Sequence, residues 1–165
     1  MPDGRRQIIG FAERGHFLGL AASESYAFSA EAIRLVGYCR FSRRYPRELL
    51  DDFPDLEKRL LAVASKELVA AQEQALLLGR RTARERVASF LLARSLGPAP
   101  GAAPSRRLRL PMPRSDIADY LGVTTETVSR TLTHLKREGV IALPTLSEIL
   151  IHDVEALKAA SGTSP

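Results

Sequence analysis

Between Arg114 and Leu135 an apolar pattern of helical spacing is interrupted once, by a glycine, and then resumes. Ile117, Ala118 and Leu121 make one short face, Gly122 follows, and Val123 and Val128 lie beyond it. Two short amphipathic segments this close together cannot bury their faces separately, so they must cross one another. Each position has a physical use at that crossing. Ala118 is small enough for two helices to approach, and Gly122 can take the left-handed conformation a tight turn needs. Val123 plugs the turn, Thr124 can cap the second helix, and Val128 points back into the core. The pattern predicts a helix-turn-helix whose second helix runs from Thr125 to Arg137.

With the inner stripe assigned, Thr125, Glu126, Ser129 and Arg130 fall on the outer, N-terminal side of that helix, where a recognition helix meets base edges. Arg130 suits guanine O6 and N7, and Glu126 can accept from cytosine N4. The same two residues stand four apart, the spacing of an ordinary exposed helix ion pair. The readings are compatible, because such a pair would hold the arginine in place. Lys136 and Arg137 end the helix before Gly139; they suit phosphate contact and the helix dipole equally. Thr124, Arg114 and Ser115 complete the expected DNA-binding set. Val140 to Leu143 and Ile149 to Ile151 are apolar runs around Pro144-Thr145-Leu146-Ser147, a predicted winged hairpin, and Asp153 is placed to cap a terminal helix ending near Ala160.

Upstream, Leu61, Ala64, Leu68, Ala71, Ala75 and Leu78 recur at spacings of three and four. That is the seam of a helix packing lengthwise on another helix. With Asp55 as N-cap, a helix from Leu56 to Leu78 would be roughly 34 Å long. Three alanines in the seam favour close approach of two copies; packing within its own domain is the alternative. A second stripe, Leu60, Val63, Ala70 and Leu77, remains to cover other structure. A further helix is expected over Thr82 to Arg94, with Val87, Phe90 and Leu91 on one face. Gly97 to Pro104 reads as a linker, and Arg107 to Leu110 as a strand. Near the N-terminus, Arg5 to Leu20 suggests two short strands about a turn at Arg14-Gly15, and Tyr26 to Phe41 suggests more of the same.

Composition narrows the function classes. Residues 80–140 hold twelve Lys/Arg against five Asp/Glu, a balance of +7, while the rest holds twelve against fourteen, or −2. The whole net charge of +5 is thus concentrated where phosphates would be met. No apolar run approaches the ~20 residues of a membrane span, and no secretory signal is visible, so a cytoplasmic protein is expected. The single cysteine, Cys39, cannot build a disulfide framework or hold a metal cluster alone. It reads as a half-buried small hydrophobe, with redox sensing as the alternative because Arg40, Arg43 and Arg44 are near. His16, His134 and His152 are isolated, and no phosphate loop or nucleophile elbow appears. Neither catalysis, a metal nor a cofactor is expected.

Three stretches resemble the Crp/Fnr family of bacterial transcription regulators, in its FixK-like and Fnr-like branch. They are Asp3 to Phe11 with Gly15-His16-Phe17-Leu18-Gly19, Arg84-Glu85-Arg86-Val87-Ala88, and Ile117 to Gly139. Glu126-Thr127-Val128-Ser129-Arg130 is the most specific part. The resemblance implies that Glu126, Ser129 and Arg130 read TTGA-type half-sites of a palindrome in double-stranded DNA. It also implies a homodimer built on the Leu61 to Leu78 seam, and RNA polymerase as a partner. Members that bind cyclic AMP carry Glu and Arg where this chain has Leu20 and Phe28, beside Ser29; lacking a cation for the phosphate argues against cyclic nucleotide binding. The cluster cysteines of the oxygen-sensing branch are also absent. The implied class is α+β, with a partial β-roll like that of cyclic-nucleotide-binding domains (1–54), a dimerisation helix and the helix after it (55–96), and a C-terminal winged helix-turn-helix (97–165). Because the family's roll starts before the position matching Met1, Ile8, Ile9, Phe11, Phe17 and Leu18 are expected to lack covering strands. A chain of this kind could instead act as a truncated partner that heterodimerises with a full-length relative and alters its DNA binding.

Overall fold

The computed structural model describes residues 6–19, 25, 26, 28–40, 53–80, 82–96 and 105–162. In chain order they form α1 (Pro54–Arg80), α2 (Ala83–Ser95), β1 (Arg107–Arg109), α3 (Arg114–Leu121), α4 (Thr125–Arg137), β2 (Ile141–Thr145), β3 (Glu148–Ile151) and α5 (Val154–Ala160). Two compact units are distinguishable, one of Met1–Phe11 with Leu76–Pro165 and one of Ala12–Ala75.

Most of α1 belongs to the second unit. The helix starts at Pro54, ahead of the expected Asp55 cap. A proline at the first helical position loses nothing, since its missing N–H would find no intrahelical partner. Asp55 therefore lies inside the first turn, 3.4 Å from Lys58 Nζ. The helix also runs past Leu78, through Gly79 to Arg80. Leu61, Ala64, Leu68, Ala71 and Ala75 are exposed along it, and Leu78 is half-buried.

In residues 12–40 the turn at Arg14-Gly15 forms as expected. The His16 N–H donates to Glu13 O at 3.0 Å, and Gly15 has φ +87°. The strands predicted on either side of it, and again over 26–41, are corrected: among the described residues neither stretch contains a strand. A strand persists only where a neighbour completes its ladder, and short hairpins without a third strand or a covering helix are marginal. Phe17 and Leu18 are accordingly exposed. Cys39 is exposed too, rather than half-buried.

The other unit has a continuous core. Val87, Ala88, Phe90 and Leu91 of α2 join Ile117, Ala118 and Leu121 of α3, Val128, Leu132 and Leu135 of α4, Leu108, Ile141, Ile149 and Ile151 of the sheet, and Leu157 of α5. Each large aliphatic side chain buried there contributes about 1.5–3 kcal/mol. Helix α2, grouped with the long helix on sequence grounds, thus packs into the helix-turn-helix core. It starts with a capping box: Thr82 Oγ1 accepts from the Glu85 N–H, and the Thr82 N–H donates to Glu85 Oε2 at 2.6 Å. The sheet is antiparallel in the order β1-β3-β2, with Leu108 opposite Ile149 and Ile141 opposite Ile151. Its register slips between Ala142 and Thr145, where Pro144 has no N–H to donate. The expected linker at Gly97 to Pro104 lies outside the described residues. No helix among the described residues is long and apolar enough to cross a membrane.

Candidate nucleic-acid interface

The crossing of α3 and α4 follows the predicted spacing. Gly122 ends α3 at φ +62°, ψ +41°, and the Val123 N–H donates to Ala118 O at 3.1 Å. Thr124 caps α4, its hydroxyl accepting from the Thr127 N–H at 3.1 Å. Val128, Leu132 and Leu135 are fully buried on the inner side. Thr125, Glu126, Ser129, Arg130, Thr133, His134, Lys136 and Arg137 are all exposed. Burying one stripe obliges the polar residues to share the opposite face.

On that face Arg130 donates to the Glu126 carboxylate one turn back. Both side chains remain about three-quarters exposed, at 77% and 76%. The pair directs the guanidinium without removing it from solvent. The Ser129 hydroxyl donates to Thr125 O at 3.0 Å, and the Thr133 hydroxyl donates to Ser129 O at 2.9 Å. Glu126, Ser129, Arg130, Thr133, His134 and Arg137 line a shallow open depression along the helix.

Ser115 is exposed in the first turn of α3. Arg114 is half-buried, and its Nη2 lies 3.5 Å from Leu146 O at the turn of the wing. Its Nη1 is buried with no hydrogen-bond partner, and burial pulls the pKa of the guanidinium down from its ordinary value. Arg114 thus braces the wing from beneath, while Leu146 stands at its tip, 90% exposed.

Some supporting contacts join residues too far apart in sequence for any periodicity to link them. Arg84, on α2, sets its fork on the carboxylate of Glu138, the residue after α4, at 3.0 and 2.7 Å. Arg84 Nη1 also lies 2.8 Å from His134 Nδ1. The hydrogen bond from Arg84 is the main cause that holds the Glu138 carboxyl below its ordinary pKa. His134, isolated in the sequence, is a partner in this clamp. Residues 6–11 meet the other end of the motif. Arg6 pairs with Asp116 at 2.9 Å, and Gln7 donates to Asp119 O at 2.6 Å. The Phe11 ring lies 5.3 Å from Tyr120 and 6.2 Å from Phe90, with Arg94 over it at 5.1 Å. Arg6 Nε also lies 3.8 Å from Asp119 Oδ2, so one guanidinium faces both carboxylates of α3. Phe11, expected in a β-roll, is thereby partly covered.

A helix pair crossed about a glycine, followed by a β-hairpin and backed by a third strand, defines a winged helix-turn-helix protein. Residues 85–160 match the Crp-like helix-turn-helix domain. The chain is 42% identical over 159 residues to the nitrogen fixation regulation protein FixK of Rhizobium meliloti, covering 96% of this chain and 70% of that protein. It is 48% identical over 143 residues to the transcriptional activatory protein AadR of Rhodopseudomonas palustris, covering 87% of this chain and 60% of that one. The solved structure of FixK2 from Bradyrhizobium japonicum superposes with a TM-score of 0.64 at 34% identity, covering 72% of this chain and 58% of that one. The chain belongs to the Crp/Fnr family of transcription regulators, among its FixK-like members. It spans about three fifths of the length of several of the relatives it matches.

Proposed function

We propose that the chain is a sequence-specific DNA-binding regulator that reads a TTGA-type palindrome as a homodimer. The observation that carries this reading is the division of α4 into a fully buried stripe and an exposed polar face on which Glu126 aims Arg130 outward. Glu126, Ser129 and Arg130 are assigned to base edges in the major groove. Ser115, Thr124, Thr125, Lys136 and Arg137 are assigned to the flanking phosphates, with the wing that Arg114 braces beside them. Relatives named as transcriptional activators favour the same role, and RNA polymerase would then be the downstream partner.

The dimer is assigned to α1. Leu61 and Leu68 are 68% and 61% exposed on a helix of 27 residues, with small Ala64, Ala71 and Ala75 between and beyond them. A second copy laid along this stripe would remove it from water and present two recognition helices to a two-fold DNA site. Of the parts read from sequence, 1–54 sensor-like, 55–96 dimerisation and 97–165 DNA-binding, the second is narrowed in this proposal to α1, because α2 packs into the helix-turn-helix core.

The test is binding of the purified chain to a TTGA-N-TCAA duplex and to a scrambled duplex at two salt concentrations. Preference for the palindrome supports the proposal, and salt-sensitive binding without preference refutes it. Preference that appears only when a longer family member is added would assign the chain to heterodimers instead.

A further inference from the structure

Arg86 joins three helices. Its side chain leaves the first turns of α2 and reaches the ends of two other helices. Nη2 donates to Leu78 O at 2.9 Å, in the last turn of α1. Nη1 donates to Leu121 O at 3.0 Å, the last residue of α3, and lies 3.4 Å from Gly122 O. Both Leu78 and Leu121 sit in a terminal turn, whose carbonyls have no intrahelical N–H to accept from. A cation at the negative end of either helix dipole is favourable, and here one cation serves two. A second observation bears on the same joint: a Cβ added at Gly122 would lie 3.3 Å from Leu78 Cδ2 and 3.5 Å from Arg86 Nη1. The end of α1 and the turn of the helix-turn-helix are therefore in close contact around this guanidinium.

We propose that Arg86 is a positioning residue that fixes the last turn of α1 against the α3–α4 turn, and so sets the spacing of the two half-sites that a dimer can read. This rests on the proposed DNA-binding dimer. The planar fork makes the assignment specific to arginine, because it holds two carbonyl acceptors at a fixed separation. The ammonium of a lysine is a single point donor on a flexible stem. A joint held by one point can swivel, and a dimer with swivelling readers accepts half-sites in more than one register.

The experiment uses the full chain with Arg86 unaltered, Arg86→Lys and Arg86→Met. Each is titrated onto a single half-site duplex and onto palindromes whose half-sites stand at the preferred spacing or are moved by about two base pairs, a rotation of roughly 70°. The unaltered chain is expected to prefer one spacing by about tenfold, or ~1.4 kcal/mol. Both variants should bind the single half-site within about threefold of the unaltered chain, while their spacing preference falls below about threefold. A variant that keeps the tenfold preference overturns the proposal. If Arg86→Met loses the half-site by unfolding, Arg86→Lys, which keeps the cation, decides by the same criterion. An unaltered chain that binds half-sites with no spacing preference overturns this inference alone, whereas one that binds no half-site overturns the DNA-binding reading with it.

Discussion

Replacing Arg130 with alanine should separate binding from stability, and the structure sets both magnitudes. The Arg130 side chain is 77% exposed and its partner Glu126 76%, so the pair lies in high dielectric and its loss removes little from the fold. An exposed pair four residues apart on a helix contributes about 0.2–0.5 kcal/mol, and Arg130→Ala should lower the unfolding free energy from urea titration by no more than that. On DNA the same guanidinium, if it takes guanine O6 and N7, contributes about 1–3 kcal/mol per half-site. Over a palindrome read by two copies this becomes roughly 2–6 kcal/mol. Fluorescence anisotropy against the palindrome and a scrambled duplex should show the loss on the palindrome, with binding to the scrambled duplex nearly unchanged. Equal losses on both duplexes would mean that Arg130 meets only phosphate. A fall in stability above ~1 kcal/mol would mean that it supports the fold, contrary to its exposure.

Other consequences are equally concrete. Gly122→Ala and Gly139→Ala both place a side chain at positive φ, +62° and +75°, so each should cost about 1–2 kcal/mol in urea unfolding. Gly122→Ala also brings a methyl to 3.3 Å from Leu78 Cδ2, which must give by a few tenths of an ångström; a neutral result at either glycine would contradict the left-handed turns. Thr82→Ala removes the cap of α2 and should lower stability by about 0.5–2 kcal/mol, since that helix carries part of the core; a neutral result in thermal melting would show the box to be dispensable. The Arg84 clamp should be visible in acid. A carboxyl whose folded pKa is depressed stabilises above its ordinary value of 4.5, and that contribution is lost as pH falls through the folded value. Between roughly pH 5 and pH 3 the unaltered chain should therefore lose stability more steeply than Arg84→Gln. Parallel curves would show that the clamp has no linkage to folding.

The sequence determined those features that depend on neighbours in the chain. The spacing of Ile117, Ala118, Leu121, Gly122 and Val128 specified both helices of the motif and the turn between them, because helical period and a left-handed glycine are local properties. The outward placement of Glu126, Ser129 and Arg130 followed by elimination once the inner stripe was known. The wing and the Asp153 cap were legible for the same reason. Strands over 5–20 and 26–41 were expected from composition alone, and a strand is not local: it exists through a partner that period-two patterning cannot supply. The start of α1 was misplaced by its proline, which suits the first helical position as well as the position before a cap.

The tertiary structure alone decided what crosses long intervals of chain. It put α2 into the helix-turn-helix core and turned Arg114 under the wing. It also joined Arg84 to Glu138, Arg6 to Asp116, and Arg86 to two helix ends. None of these arginines differs in sequence from a solvated one. Their roles arise where folding brings an unpaired carbonyl or a carboxylate within reach of a fixed cation, and that distance exists only once the core has closed.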